Sequence, residues 1–444
     1  MATILARHKG PDKTLVDLMR PVTASGKGSF FFLAAMAALF GLYIIVFYMQ
    51  YVYGHGSVTD QATPVGAAWG LYVTGIVFFI GISHVGIGVS AAARLLNLDY
   101  LKPYARMAEM LTLVCLPAAV LIITLDIGRP EKFLINVMTY GRIQAPFVWS
   151  GTVISVYLAA SLIYLYLSMR RDITLSADLV PEKWRWFYRL LSLGYKDTED
   201  TRHTHERTLW WMAIVLIPIM VSVHSVYGLV FGLHSGRPGW FNPLMAPYFV
   251  LGALVNGFAT LVIVAALIRR VFRWEQYLSL KAIRNMGRFL CWMTLLYIYF
   301  SVSEYITFIY SPPAGEARVA HAIFLGEFSK IFWPTLAILI TGFLVLFFNQ
   351  TIFNKQFALW ATVLGAVFID IALFLTRYLI VVPSLLYPLL PFPKGSYVPT
   401  VYEFAALIGV FGFAIGVYAL FMRVFPIVEF PHPGEQISTE ANKW

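Results

Sequence analysis

Ten stretches of the chain are apolar for about the length of a membrane crossing: Ser29–Tyr53, Gly66–Ala93, Tyr104–Leu125, Pro146–Met169, Leu209–Phe231, Pro247–Ile268, Phe289–Tyr310, Ile331–Phe348, Ala358–Val381 and Tyr402–Met422. A helix rising about 1.5 Å per residue needs roughly 20 such residues to cross a hydrocarbon core of about 30 Å. The runs are continuous rather than alternating, and lipid offers backbone groups no partner. Helices are therefore the only spanning form they support, and a β-barrel is excluded. The expected fold class is an all-α polytopic membrane protein with about ten transmembrane helices. The first run leads into Gly54-His55-Gly56-Ser57 without a small-residue cleavage pattern, so it reads as a retained helix rather than a signal peptide.

A weak internal repeat organises the runs. The fifth and ninth open on Leu209-Trp210 and Leu359-Trp360, and the second and sixth exit into Arg94 and Arg269. That spacing gives two four-helix units pointing the same way, although an interfacial tryptophan belt would supply the same markers. The division that follows is a tail over 1–28, a first helix and outer loop over 29–65, a first four-helix bundle over 66–233, a second over 234–381, and a last helix with its tail over 382–444.

Charge decides which way the helices run. One side collects Arg7, Lys9, Lys13, Arg20 and Lys27 with the Arg170–Arg207 and Arg269–Arg288 connections; the other holds little besides Arg129, Lys132, Arg142, Arg237, Arg318 and Lys394. Excess Lys and Arg mark the cytoplasmic side, which puts both termini there. The 170–208 connection carries Trp184, Trp186 and Tyr188 and suits an interfacial amphipathic segment. Across 444 residues, 59% are hydrophobic and only 13% charged, against about 25% charged in soluble domains. The net charge of +10 is explained by these topology signals, so the lipid bilayer is the expected partner and nucleic acid is not. The two cysteines, Cys115 and Cys291, lie in separate apolar runs. They cannot hold an iron–sulfur cluster or thiolate zinc site within this chain.

Ionisable groups inside the runs are the candidates for chemistry, because each is costly in lipid without a partner or a task. His84 lies near the middle of its span among Gly81, Ser83, Gly86 and Gly88. Small residues permit close helix packing, so the plain reading is a satisfied structural histidine; the functional one is a hydrogen-bond and proton partner for a membrane-soluble ligand. Asp126-Ile-Gly-Arg129-Pro130 closes the third run, either as an ordinary stop with Asp126 paired to Arg129 or as a carboxylate and guanidinium holding a ligand at the outer boundary. Trp149 and Ser150 open the fourth run at the same depth, and His224 and Tyr227 join the outer-half set on the fifth. In the second half, Glu304, Asp370 and Arg377 are read as a proton path; Asp370 and Arg377 are seven apart on one helix face. His84 and His224 are the only central histidines available for a haem, which argues against bis-histidine ligation.

Six phrases in order carry a resemblance: GISHVGIG at His84, DIGRP at Asp126, HSVYGLVFGLHSGRPGW from His224, PYFVLGALVNGFA from Pro247, FSVSEYITFIY around Glu304 and TRYLIVVPSL at Arg377. Together they resemble the ten-helix branch of the NrfD/PsrC (polysulfide reductase membrane subunit) family. That branch includes the quinone-interacting subunits of alternative complex III, the DsrP protein and the menaquinone reductase protein QrcD.

The resemblance implies two four-helix bundles with one flanking helix at each end, in a prokaryotic inner membrane. It implies a quinone, menaquinone or ubiquinone, as bound substrate, with no haem or iron–sulfur cluster in this chain. It also implies an iron–sulfur (ferredoxin-like) partner on the outer face, with further redox subunits such as a multihaem cytochrome c or a molybdopterin-type protein. By motif match His84 takes the place of the quinone-site histidine and Arg377 that of the second-bundle arginine. Alternative complex III relatives carry an acid after the fourth-helix tryptophan where this chain has Ser150, so Asp126 is the expected proton partner. The rival readings are a secondary transporter and a membrane anchor without a quinone site.

Overall fold

The computed structural model describes residues 13–23, 26–62, 67–310, 312–351, 355–390 and 392–431. Arg7 and Lys9, the expected start of the second run at Gly66, and the C-terminal tail from 432 lie outside the described residues. Among the described residues, ten helices have the length and apolarity of a membrane crossing: α1 (Lys27–Tyr53), α2 (Leu71–Leu95), α3 (Asp99–Asp126), α4 (Pro146–Ser176), α5 (Glu199–Gly232), α6 (Met245–Phe272), α7 (Leu280–Ile309), α8 (Ser329–Asn349), α9 (Ala358–Leu386) and α10 (Val401–Val424).

Helices α2 to α5 pack as one bundle and α6 to α9 as another, with α6 joined to α2 and α5 of the first. Helix α2 is the inner post, with 89% of its most apolar stretch buried inside the protein, whereas α1 has 11% and faces lipid. The two terminal helices pack chiefly on each other. Their seam is close because a methyl at Gly412 would stand 2.6 Å from Leu39 Cβ, and one at Gly409 2.6 Å from the Tyr43 nitrogen.

An even number of crossings puts the start of α1 and the end of α10 on one face, together with the 177–198 and 273–279 connections; we call it the basic face. Most of the 170–208 connection is helical. Helix α4 runs on to Ser176 because its charged end is partnered: Asp172 Oδ2 accepts from Arg106 at 2.8 Å and from the Phe430 nitrogen at 2.9 Å, and Arg171 donates to the Phe430 carbonyl at 3.0 Å. The helix Glu182–Ser192 then exposes Trp184 and Trp186 and buries Tyr188, whose hydroxyl donates to the Val424 carbonyl. Helix α5 begins at Glu199, behind a Thr198 capping box and ten residues before Leu209, so Leu-Trp does not mark its start. Two helices unforeseen in the apolar pattern, Pro130–Tyr140 and Ala314–Phe324, lie on the opposite face. Both are short, and each follows a proline or starts on one.

Candidate functional site

The middle of the protein is organised by His84, where Leu71–Ser83 passes into Val85–Leu95 through one tightened turn, with His84 at helical φ −71° and ψ −22°. The ring is fully buried, with Nδ1 2.9 Å from the Ile80 carbonyl and Nε2 2.8 Å from the Met220 carbonyl of α5. A neutral imidazole has one N–H, so it can donate to only one of these two acceptors, and a proton gained would find the second already in place. Edge-on against it, with ring centroids 4.1 Å apart, is His224, also fully buried, whose two ring nitrogens have no partner among the described residues. Tyr227 lies one turn further along α5, 6.4 Å from the His224 ring.

Beyond His224 the polar groups continue into the second bundle. The Arg377 guanidinium lies over the Phe249 ring at 4.5 Å, with Nη1 unpartnered among the described residues, and it is within electrostatic reach of His224. Gly252 on α6 makes its space, since a methyl there would meet Nη2 at 2.2 Å. Tyr297 stacks on Tyr248 at 4.8 Å, and the Tyr248 hydroxyl shares a 2.9 Å hydrogen bond with Ser301. One turn on is Glu304, 8% exposed, with Arg377 as its charged neighbour. Glu304, Tyr248, Thr376 and Ser384 line a chamber of about 40 Å³. Tyr305, Phe308, Phe324 and Phe332 are shared between that chamber and an apolar groove of about 550 Å³ that also takes in Trp333 and Leu336.

The expected residues do not form one pocket. Asp126, half-buried at the end of α3, faces Tyr72, and Tyr72 is twelve residues before His84 on α2, about 18 Å along the axis. A single ring cannot touch both His84 and Asp126, which corrects their pairing. Asp126 instead belongs to a second nest with Tyr72, Gln61 and, through its bond to the Leu125 carbonyl, Gln50; Asp126 Oδ1, the Tyr72 hydroxyl, Gln50 Oε1 and Gln61 Nε2 have no close partner among the described residues. Glu403 closes that nest, accepting from Tyr397 at 2.7 Å and the Thr400 nitrogen at 2.8 Å. His55 reaches it through Gln61 at 3.2 Å, and burial pulls its imidazole below the ordinary value.

Among the described residues Asp126 and Arg129 form no ion pair; Gly128 turns the chain at φ +75°, and Arg129 is exposed. Trp149 donates to the Ile143 carbonyl and Ser150 to Pro146, so both side chains serve their own connection. Asp370 accepts from Thr260 at 2.9 Å, while Arg377, about two turns away, faces Phe249. The two share a helix but not a partner.

Sequence reasoning missed a file of hydroxyls on α4: Tyr157, Ser161, Tyr164 and Ser168, all buried, stand at successive turns on one face. Their 4, 3, 4 spacing was visible in the sequence and was the signal that could have found them. Glu109 of α3 faces this file, accepting from Ser90 and, at 2.8 Å, from Ser168.

These features describe a polytopic α-helical protein with two polar seams in an otherwise apolar core. The family model described as Polysulphide reductase, NrfD, matches residues 57–388, and the chain belongs to that family. It is 32% identical over 203 residues to a Halobacterium salinarum protein provisionally named as a membrane subunit of dimethyl sulfoxide reductase, covering 46% of this chain and 44% of that one. It is 22% identical to a selenate reductase subunit of Mesobacillus selenatarsenatis, over 81% of this chain and 86% of that one. It is 23% identical to the Hdr-like menaquinol oxidoreductase integral membrane subunit of Archaeoglobus fulgidus, over 81% and 85%.

Proposed function

We propose that this chain is the quinone-reactive integral membrane subunit of a multi-subunit respiratory complex, exchanging electrons between menaquinone or another quinone and a partner iron–sulfur protein. The observation that carries the reading is the aromatic-lined groove leading to Glu304. An isoprenoid quinone has an apolar tail, a flat ring and two carbonyl oxygens, and it needs an apolar slot ending in few, well-placed polar groups. Tyr305, Phe308, Phe324 and Phe332 supply the ring slot, and Glu304, Tyr248 and Ser384 the polar end. Interconversion of quinone and quinol moves two electrons and two protons. The electrons pass to or from the partner, and Glu304 is the carboxyl able to give or take a proton at a carbonyl oxygen. The names of the relatives, reductase and menaquinol oxidoreductase subunits, support a redox role.

The excess of Lys and Arg on the basic face supports a cytoplasmic location for it, in a prokaryotic inner membrane with both termini inside. The groove then opens toward the outer half. On that face Met138 (86% exposed), Ile143 (81%) and Tyr310 (83%) offer apolar surface to the iron–sulfur partner. Proton movement across the membrane through Arg377 and Asp370 is part of the same proposal. A carrier built on inverted repeats is disfavoured, because α2 and α6 show no matching break: His84 keeps helical dihedrals at φ −71° and ψ −22°, and α6 is one helix.

A photoreactive azidoquinone bound to the complex in its native membrane tests the site. Adducts are expected on peptides covering 305–336, competed by excess quinone and reduced by Trp333→Ala. Competed adducts confined to peptides of α2, α3 and α4 would move the ring to the first bundle; no competed adduct anywhere would remove the quinone from the reading.

A further inference from the structure

The first bundle holds a buried carboxyl, Glu109, that the quinone reading does not use. Its oxygens accept from Ser90 of α2 and Ser168 of α4, and the carboxyl is 3% exposed. Three helices thus spend side chains on one acid in the half of the membrane nearest the basic face. From there the polar groups run in both directions.

Toward the basic face lies a cavity of about 390 Å³, lined by Arg94, Ser168, Asp172, Glu206, Arg207 and Glu429 among others. Arg94 stands at its floor, 5.8 Å from the Tyr164 ring and within electrostatic reach of Glu109, Glu206 and Glu429. Ser168 lines the cavity and also bonds Glu109, so the carboxyl is one hydroxyl away from space open to that face.

Toward the membrane centre, Ser90 Oγ is 3.2 Å from the Tyr164 hydroxyl. One turn along α4 is Ser161, 4% exposed, whose Oγ has no close hydrogen-bond partner among the described residues and lies within looser reach of the Tyr157 hydroxyl. One turn further the Tyr157 hydroxyl donates to the Ser83 carbonyl at 2.9 Å, beside the Thr112 hydroxyl, which donates to the same carbonyl. Tyr157 and His84 are neighbours, with ring centroids 5.7 Å apart. An unpartnered hydroxyl sealed in a membrane core costs free energy unless water reaches it, and here it stands between two hydrogen-bonded groups of one file.

We propose that the first bundle contains a proton path from the basic face to His84, with Glu109 as the carboxyl on which protons are loaded and the α4 hydroxyls, bridged by water at Ser161, as the route inward. A proton arriving through the cavity neutralises the Glu109 carboxylate. Onward transfer has each hydroxyl accept a proton from the Glu109 side and release its own toward His84, so only O–H and N–H bonds exchange and no electrons move. The value of such a path to the protein rests on the quinone reading, because quinone reduction consumes protons and quinol oxidation frees them.

Two measurements test it. In the first, the complex with its native partners is reconstituted in vesicles with the basic face inward and a pH dye trapped in the lumen. Lumenal pH change per quinone turned over is expected to fall at least about tenfold in Glu109→Gln, to recover in part in Glu109→Asp, and to fall in Tyr157→Phe, which keeps the packing. Unchanged lumenal proton change in Glu109→Gln with quinone turnover intact overturns the path and leaves the quinone reading standing. In the second, Ser161→Cys in a Cys115→Ala, Cys291→Ala background is exposed to a methanethiosulfonate from the basic face. Modification at least about tenfold faster than at the lipid-facing control Ile163→Cys supports a hydrated path even if no quinone turns over. Modification no faster than the control overturns it.

Discussion

Gly252 offers the sharpest test of Arg377. A methyl at this position would lie 2.2 Å from the guanidinium Nη2 and 3.0 Å from a ring carbon of Tyr297. Ordinary contact begins near roughly 3.5 Å, so in Gly252→Ala the guanidinium must retreat by more than about 1 Å. It can do so, being the far end of a flexible side chain, and the helices need not part. What it gives up is its seat over Phe249 at 4.5 Å, a cation–π contact worth up to about 2 kcal/mol when desolvated. A loss of about 1–2 kcal/mol corresponds to a factor of about 5–30. Gly252→Ala is therefore expected to assemble normally and to reduce turnover of a short-chain quinone by that factor, measured on purified complex alongside thermal unfolding in detergent. Gly257→Ala is the control: its methyl would meet Val85 Cβ at 2.8 Å and the Ile82 carbonyl at 3.1 Å, where little can yield. It is expected to lower the unfolding temperature while leaving turnover per folded complex unchanged. Full turnover by assembled Gly252→Ala would refute the role given to Arg377.

Three further outcomes follow from the packing. His224→Phe removes two buried nitrogens that have no partner among the described residues, so unfolding temperature is expected to hold or rise while lumenal proton change falls; His84→Phe, which deprives the Met220 carbonyl of its ring partner, is expected to cost about 1–3 kcal/mol. Asp172→Asn breaks an ion pair of 2.8 Å whose side chains are both 2% exposed, with an expected loss of about 3–5 kcal/mol. Because Asp172 also anchors the Phe430 nitrogen, protease cleavage beyond α10 should quicken. Gly412→Leu would drive a side chain into Leu39 and the Phe40 backbone nitrogen, lowering the unfolding temperature through the α1–α10 seam without changing the azidoquinone adduct pattern.

The ten crossings were legible because apolar length is a strong signal and lipid permits no other spanning form. Their ends were less so. The charges at Arg170, Arg171 and Asp172 look like the end of a span, yet α4 continues because Arg106 on α3 and the chain at 426–431 partner them. No local pattern announces partners that distant. Single ionisable residues were found one by one, since each stands out in an apolar run, but which of them meet was not. His84 and Asp126 lie on neighbouring helices and differ in depth by about 18 Å; His84 and His224 are far apart in sequence and touch. The α4 hydroxyls were passed over because Tyr and Ser do not stand out by charge, and only their spacing marks them.

Cost separates the histidine seam from ordinary packing. Among the described residues, His224 contributes two polar atoms with no close hydrogen-bond partner, and Tyr297, Arg377 and Ser161 one each. At about 1–3 kcal/mol apiece, these five would together cancel about 5–15 kcal/mol, the whole stability of a typical fold. A dry seam of that composition would not persist, and apolar residues of the same size would pack there without penalty. Water along the seam would offset that cost, and the proton path proposed above requires it. Arg377 then has a position that neither bundle alone could give it. It lies within electrostatic reach of His224 on one side and Glu304 on the other. A change of charge at the chamber is felt through it at the imidazole pair where the hydroxyl file arrives.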